Sequence, residues 1–429
     1  MKHSNRAAHR FQTVLYGGAM VAVAALSGLG SSSGSIAQGF FQDSPKMVLD
    51  EAWQLVNHQF VDSTFNGVDW QAVRQDLLNR EYTSPEMAYA ALREALEQLD
   101  DPYTRFYDPA EYQSLGSQVY GEISGIGIRL QRDEATQQLT IREALPNTPA
   151  SQAGIQAGDR VVAVDGKSTS GLAVDEVSQL IQGDLGTEIT LRLQRGNQAP
   201  FDVTLTRAAI ELETVHYQVK QEGTADIGYI QLDSFSSNSP VQMQKAIQSL
   251  LAQQVDGFVL DLRDNGGGSL QAAIEISRMW LDRGTIVQTV DREGKRDSIS
   301  ANQTALTQLP LAILVNGQSA SASEILTGAM MDHQRATVVG TQTYGKALVQ
   351  QLHPLSDGSA LTVTIAHYYT PNGTDISHRG ITPNVVANVT DAEQQQLASN
   401  AALRGAAMDS QYQRAIDTLE ARASLRQSS

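Results

Sequence analysis

The spacing of hydrophobic positions changes twice along the chain, and each change marks a different kind of structure. In "DSPKMVLDEAWQLVNHQFVD", Met47, Leu49, Trp53, Val56 and Phe60 recur mostly at three- and four-residue steps, the period of one helix face. "SPEMAYAALREALEQLDD" opens with Ser84 before Pro85, a helix-start signature. Residues 43–113 therefore read as helices with the tryptophans in their core, and "DPYTRFYDPAEY" breaks the period at a boundary. Residues 116–207 follow another rhythm. "YGEISGIGIRLQRD", "QQLTIREAL", "DRVVAVDGK", "TEITLRLQRG" and "FDVTLTRAA" are short Val-, Ile-, Leu- and Thr-rich runs separated by Gly, Asp and Asn, the pattern of strands. Two helices fit between them, near 149–155 and at 172–183. From 208 to 390 strands and helices alternate, which predicts an α/β core. After about 391 a polar, Ala- and Gln-rich helical tail closes the chain.

The chain has 429 residues, 41% of them hydrophobic, enough for two or three domains with cores of their own. Its net charge is 31 − 47 = −16. The first 37 residues carry Lys2, Arg6 and Arg10 and no acids, so the body is more acidic still. That argues against nucleic acid and against an anionic membrane surface as partners. With no cysteine, disulfides, a thiol nucleophile and thiolate metal ligation are excluded.

The N-terminus bears on compartment. A basic "MKHSNRAAHR" precedes the apolar "VLYGGAMVAVAALSGLG", and "SSSGSIA" offers Ser35-Ile36-Ala37 as a small-x-small cleavage site. This is a three-part secretory signal over residues 1–37. An uncleaved segment of this length would instead anchor the protein to a membrane. Both readings export the body.

Two strand-to-helix turns carry candidate chemistry. "FVLDLRDNGGG" leaves a strand through a bare glycine run. It lacks the P-loop and dinucleotide fingerprints, but open N–H groups there suit a transient oxyanion. "LAILVNGQSASASEILTGAMMDHQ" sets three serines at the second turn. Ser321 and Glu324 have capping-box spacing. A nucleophile at a helix start would profit from the same free N–H groups, so cap and nucleophile are both open on local sequence. The eight histidines form no recognisable triad, and GxSxG and HExxH are absent. Lys346, in "VVGTQTYGKALVQQ", lies between apolar strand segments. Buried there it would lose its proton readily and could accept the serine proton; exposed, it would be an ordinary strand-end lysine.

Taken together, these stretches resemble known families. "SGIGI" (124–128) and "NTPASQAGIQAGDRVVAVDGK" (147–167) are similar to a PDZ domain. The resemblance implies that N–H groups around Gly125, Ile126 and Gly127 hold a ligand's C-terminal carboxylate, with the peptide adding as a strand beside Ile128. "LDLRDNGGG", "VNGQSASASEILTGAM" and "VGTQTYGKALVQ" closely resemble the carboxyl-terminal processing peptidases, exported serine proteases of the tail-specific class. That resemblance covers about 43–390. It implies Ser321 as nucleophile, Lys346 as general base, Gln350 positioning the lysine, Gly267 and Ala322 as oxyanion donors, and Glu324 as a support residue. Asp264 and Gln318 depart from the common family pattern and receive no role.

The expected fold is α/β and multidomain: a helical segment over 38–115, an inserted PDZ domain of β-sandwich or barrel type over 116–207, a mixed-sheet catalytic core over 208–390, and the tail over 391–429. The expected function is endoproteolysis near the C-terminus of polypeptides with a free carboxyl end, in periplasm or thylakoid lumen, without metal or organic cofactor. Two rivals belong to other classes. One is a PDZ peptide-binding scaffold or chaperone on an inactive core. The other is a thioester-handling enzyme with a similar two-amide oxyanion hole. The sequence does not determine the oligomeric state or the physiological substrate.

Overall fold

The computed structural model describes residues 45–133, 136–400 and 403–427, with three two-residue strand pieces between 13 and 22. The signal or anchor expected over residues 1–37 otherwise falls outside the described residues. The chain divides into two compact units. One combines residues 1–115 with 213–429, and the other is Gly116–Leu212.

In the first unit, α1 (Pro45–Gln59), α2 (Trp70–Asn79) and α3 (Pro85–Glu97) form a helical layer. Ser84 caps α3 by accepting the Met87 N–H, with Pro85 in the first turn. Trp53 and Trp70 are buried and exchange indole bonds: each Nε1 donates to the other's main-chain carbonyl, at 2.7 and 3.3 Å. The segment expected to be a boundary becomes a strand, β1 (Arg105–Tyr107), before helix α4 (Pro109–Tyr120).

The second unit holds β2 (Glu122–Gly125), β3 (Ile128–Arg132), β4 (Leu139–Ala144), α5 (Pro149–Gln152), β5 (Arg160–Val164), β6 (Lys167–Ser168), α6 (Val174–Ile181), β7 (Glu188–Gln194), β8 (Phe201–Thr206) and β9 (Ala208–Glu211). Its main sheet runs β8–β7–β5–β4–β3, which leaves β3 at an edge. The inward side of each strand supplies a separate core that includes Ile141, Val161, Leu191 and Val177. β9 pairs antiparallel with β2, Ala208 opposite Gly125. That ladder carries this unit to Leu212 instead of ending it at 207.

Back in the first unit, β10 (Val215–Glu222), β11 (Ala225–Leu232), α7 (Ser239–Ala252), β12 (Gly257–Asp261), α8 (Leu270–Trp280), β13 (Thr285–Asp291), β14 (Arg296–Ser300), β15 (Leu311–Val315), α9 (Ala322–Asp332), β16 (Thr337–Gly340), β17 (Leu348–Pro354), β18 (Ala360–Tyr369), β19 (Val385–Val386), α10 (Asp391–Ser399) and α11 (Ser410–Gln427) complete the chain. One sheet runs β10–β11–β12–β15–β16–β19, parallel from β11 onward. β12 and β15 are buried at every position, as a sheet covered on both faces requires. Phe258, Leu260, Ile313 and Val315 face α7, α8 and α9 in one core. Val259, Ala312 and Leu314 face Tyr412, Ala415, Ile416 and Leu419 of α11 in another. The segment expected to be a tail thus closes the second face of the sheet. A further sheet is built on the β17–β18 hairpin, which β13 and β1 join along the other side of β18.

Candidate active site

β12 and β15 are adjacent and parallel, with Asp261 opposite Leu314. The turns that follow them therefore leave the same end of the sheet side by side, where open α/β sheets place their sites. Gly267, in the first turn, has φ +103°, and a Cβ there would lie 2.7 Å from the Ala320 carbonyl oxygen and 3.0 Å from the Ala322 nitrogen. Only glycine lets the two turns approach this closely. Buried Asn265 binds them: its carbonyl accepts from the Ala320 N–H (3.1 Å) and Ser323 Oγ (2.8 Å), and its Nδ2 donates to the Leu232 carbonyl.

The three serines differ in what they touch. Ser319 Oγ donates to the Leu262 carbonyl at 2.8 Å, and Ser323 Oγ to that of Asn265. Ser321 is fully buried, yet its Oγ has no hydrogen-bond partner among the described residues. Its backbone stands at φ +55°, ψ −111°, far from the extended conformation of a capping serine. Non-glycine residues hold such a conformation only where surroundings enforce it.

Glu324 provides that enforcement. Its Oε2 accepts the N–H groups of Ser321 and Lys346, both at 2.9 Å, and its Oε1 accepts the Gly345 N–H at 2.7 Å and Thr343 Oγ1 at 2.5 Å. One buried carboxylate so ties the serine turn to the lysine turn. Burial pushes its carboxyl above the usual range, while these four hydrogen bonds pull the other way. Tyr368 adds a second tie, its hydroxyl meeting the carbonyls of both Ser321 and Lys346.

Lys346 is 7% exposed. Burial lowers its amine from 10.5 to about 8; Arg105 pushes in the same direction, while Asp101 and Glu324 oppose it. Nζ lies 4.3 Å from the centroid of the Tyr103 ring.

The other expected site residues are placed less simply. Gln350 is buried and sends Nε2 to Thr364 Oγ1 at 3.3 Å, while its Oε1 lacks a partner. Among the described residues no hydrogen bond joins Gln350 to Lys346; the Gln350 side chain meets Thr364 instead. The Gly267 N–H, expected to be an oxyanion donor, is taken by Asn265 Oδ1 at 2.9 Å. Ala322 opens α9, where first-turn N–H groups have no intrahelical acceptor. Sequence reasoning gave no role to Tyr103, Asn265 or Tyr368: Asn265 stands in the glycine turn with nothing local to mark its side chain, and the two tyrosines lie outside the glycine, serine and lysine stretches.

In the second unit, Gly125, Ile126, Gly127 and Ile128 line a cleft of about 140 Å³. The Ile126 and Gly127 carbonyls accept from Ala150 and Leu145. Their own N–H groups have no protein acceptor among the described residues. Gly127 has φ +80°, and a Cβ would collide with Thr148 at 2.3 Å.

Comparison with known proteins accords with this layout. The model of peptidase family S41 matches residues 226–387, and that of the PDZ domain matches 140–195. A carboxyl-terminal-processing protease of Synechocystis sp. is 41% identical over 397 residues, 92% of this chain and 90% of its own. The chloroplastic carboxyl-terminal-processing peptidase 2 of Arabidopsis thaliana is 38% identical over 346 residues, 78% of this chain and 67% of its own. Among solved structures, a photosystem II D1 C-terminal processing protease is 35% identical with TM-score 0.53, covering 80% of this chain and 93% of that one. The chain therefore belongs to the carboxyl-terminal-processing proteases of peptidase family S41, serine-type hydrolases that here carry a PDZ domain.

Proposed function

We propose that this protein is an exported endopeptidase working through a Ser321–Lys346 dyad on substrates held by their free C-terminus. The observation that carries the reading is Glu324, whose single carboxylate binds the backbones of both dyad residues. Lys346, neutral above about pH 8, takes the proton of Ser321 Oγ as that oxygen attacks the scissile carbonyl carbon. The resulting ammonium then protonates the leaving amine, and an acyl-serine ester remains. Water attacks the ester with Lys346 again accepting a proton, which returns to Ser321 Oγ on release.

The oxyanion receives the Ala322 N–H and, once it leaves Asn265 Oδ1, that of Gly267. Ser321 Oγ, unpartnered here, must close on Lys346 Nζ when substrate binds. Gln350 is suited to steady the lysine in that closed arrangement. In the PDZ unit, the Ile126 and Gly127 N–H groups receive the substrate carboxylate beside Gly125, and the chain adds along the β3 edge from Ile128.

Periplasm or thylakoid lumen suits the N-terminal signal, and no described helix is long and apolar enough to cross a membrane. The D1 protein in the name of the solved relative is the first substrate to try. The test compares C-terminal peptides from membranes holding the wild-type protein or Ser321→Ala, by mass spectrometry. Trimmed C-termini that require Ser321 are expected. Identical peptide sets would leave a peptide-binding role in place of proteolysis.

A further inference from the structure

The Lys346 amine has a neighbour outside both catalytic turns. Tyr103 lies in the segment between α3 and β1, and its ring stands 4.3 Å from Nζ. That segment is rigidly built. The Asp101 carboxylate accepts from the Tyr103 N–H (3.1 Å), the Thr104 N–H (3.2 Å) and Thr104 Oγ1 (2.6 Å). It also hangs on β18: Thr362 Oγ1 donates to the Tyr103 carbonyl at 2.8 Å, and Thr104 Oγ1 accepts the Thr364 N–H at 3.1 Å. Thr364 is the residue that Gln350 reaches. The ring is thus held over the amine by the sheet that also carries Gln350.

We propose that Tyr103 is a positioning residue for the catalytic base, its ring closing over the Lys346 amine and keeping water from it. The helical N-terminal segment then takes part in catalysis through this side chain. The inference rests on Lys346 being the base. Burial and a hydrogen bond to Tyr344 push the Tyr103 hydroxyl up to about 12, so at working pH it meets the amine as a neutral ring. Two effects of the ring oppose each other. Its face attracts an ammonium, whereas its bulk strips the ammonium of water. Burial is the largest influence on Lys346, and a ring 4.3 Å from Nζ is part of that burial; the proposed role takes loss of water to outweigh the attraction. The charged groups acting on the amine are Arg105, which acts with burial, and Asp101 and Glu324, which act against it; the neutral, buried Tyr368 phenol donates to the Lys346 carbonyl.

The experiment measures kcat/KM against pH for the full-length protein on one C-terminal peptide, with thermal unfolding beside it. Wild type should rise with a midpoint near 8. Tyr103→Phe and Tyr103→Leu keep an apolar cover and should keep that midpoint. Tyr103→Ala and Tyr103→Gln admit water or a polar group and should move it upward by about one unit or more. Their activity at pH 7 should fall about tenfold and recover at high pH, which a misfolded site would not do. A midpoint that stays put or falls in both Ala and Gln variants, or rises equally in the Phe variant, overturns the role of the ring. Near-wild-type turnover by Lys346→Arg would overturn the base assignment itself, and the proposal with it.

Discussion

Lys346 shows what the site costs the fold. Its amine falls from 10.5 in the unfolded chain to about 8 in the native state. Between those values the unfolded chain binds more protons, so stability rises with pH across this window and is lowest below it. At about 1.4 kcal/mol per unit, the penalty at pH 7 is on the order of 3 kcal/mol. Lys346→Met should therefore be inactive yet melt higher than wild type at pH 7, with the gap narrowing from pH 8 to 10; calorimetry at several pH values checks this. Lys346→Arg should fold and be inactive, because arginine does not release its proton in this range. The serines make a matching set. Ser321→Ala should abolish turnover at nearly unchanged stability, since its Oγ has no partner to lose. Ser323→Ala loses one buried hydrogen bond, and Ser319→Ala loses its bond to Leu262 and the acceptor of the Asn316 N–H; each should cost about 1 kcal/mol of stability per bond lost with activity largely kept. Activity assays and urea titration of the three variants separate these outcomes.

At the scale of elements, α11 has the furthest reach. Asp409, just before it, accepts from Arg263 through both oxygens, at 2.9 and 2.7 Å, and Arg263 also holds Asp261 at the end of β12. Tyr229 donates to Asp261 at 2.7 Å. This buried ionic chain ends two residues before Asn265, which binds the glycine and serine turns together. Asp409→Ala would leave the Arg263 guanidinium with one carboxylate in a buried setting and should cost about 3–5 kcal/mol. Removing residues 410–427 would also bare Val259, Ala312 and Leu314. A shortened chain that melts and cleaves like the full protein would show that α11 is dispensable.

At the scale of the molecule, the segment matched by the S41 peptidase model and that matched by the PDZ model fall in separate compact units. Among the described residues, the Ile126 and Gly127 N–H groups of the PDZ unit have no acceptor and β3 has a free edge. If the PDZ unit captures the carboxylate as proposed, linking capture to cleavage in one chain raises the local concentration of substrate. A peptide with a free carboxylate should therefore be cut about tenfold or more faster, as kcat/KM, than its C-terminal amide. Gly127→Val, strained at φ +80° and colliding with Thr148, should erase the difference. Equal kcat/KM for the two peptides with the wild-type protein would remove carboxylate capture from the account.

The chain's periodicities alone separated helical, short-strand and alternating regions, because side-chain spacing is a local consequence of helix and strand geometry. Its glycine, serine and lysine stretches sufficed to suggest the family, since each is a short contiguous turn. The division of labour among Ser319, Ser321 and Ser323 was not local: it depends on Leu262 and Asn265, brought alongside only because β12 and β15 are neighbours. Tyr103 and Tyr368 reach the site from other parts of the chain through the pairing of β18 with β1 and β17. The last helix looked like a polar tail because only a narrow stripe, Tyr412, Ala415, Ile416 and Leu419, is apolar and buried. A sheet face wide enough to accept that stripe exists only after the strands have assembled, so the tertiary structure alone made it part of the core.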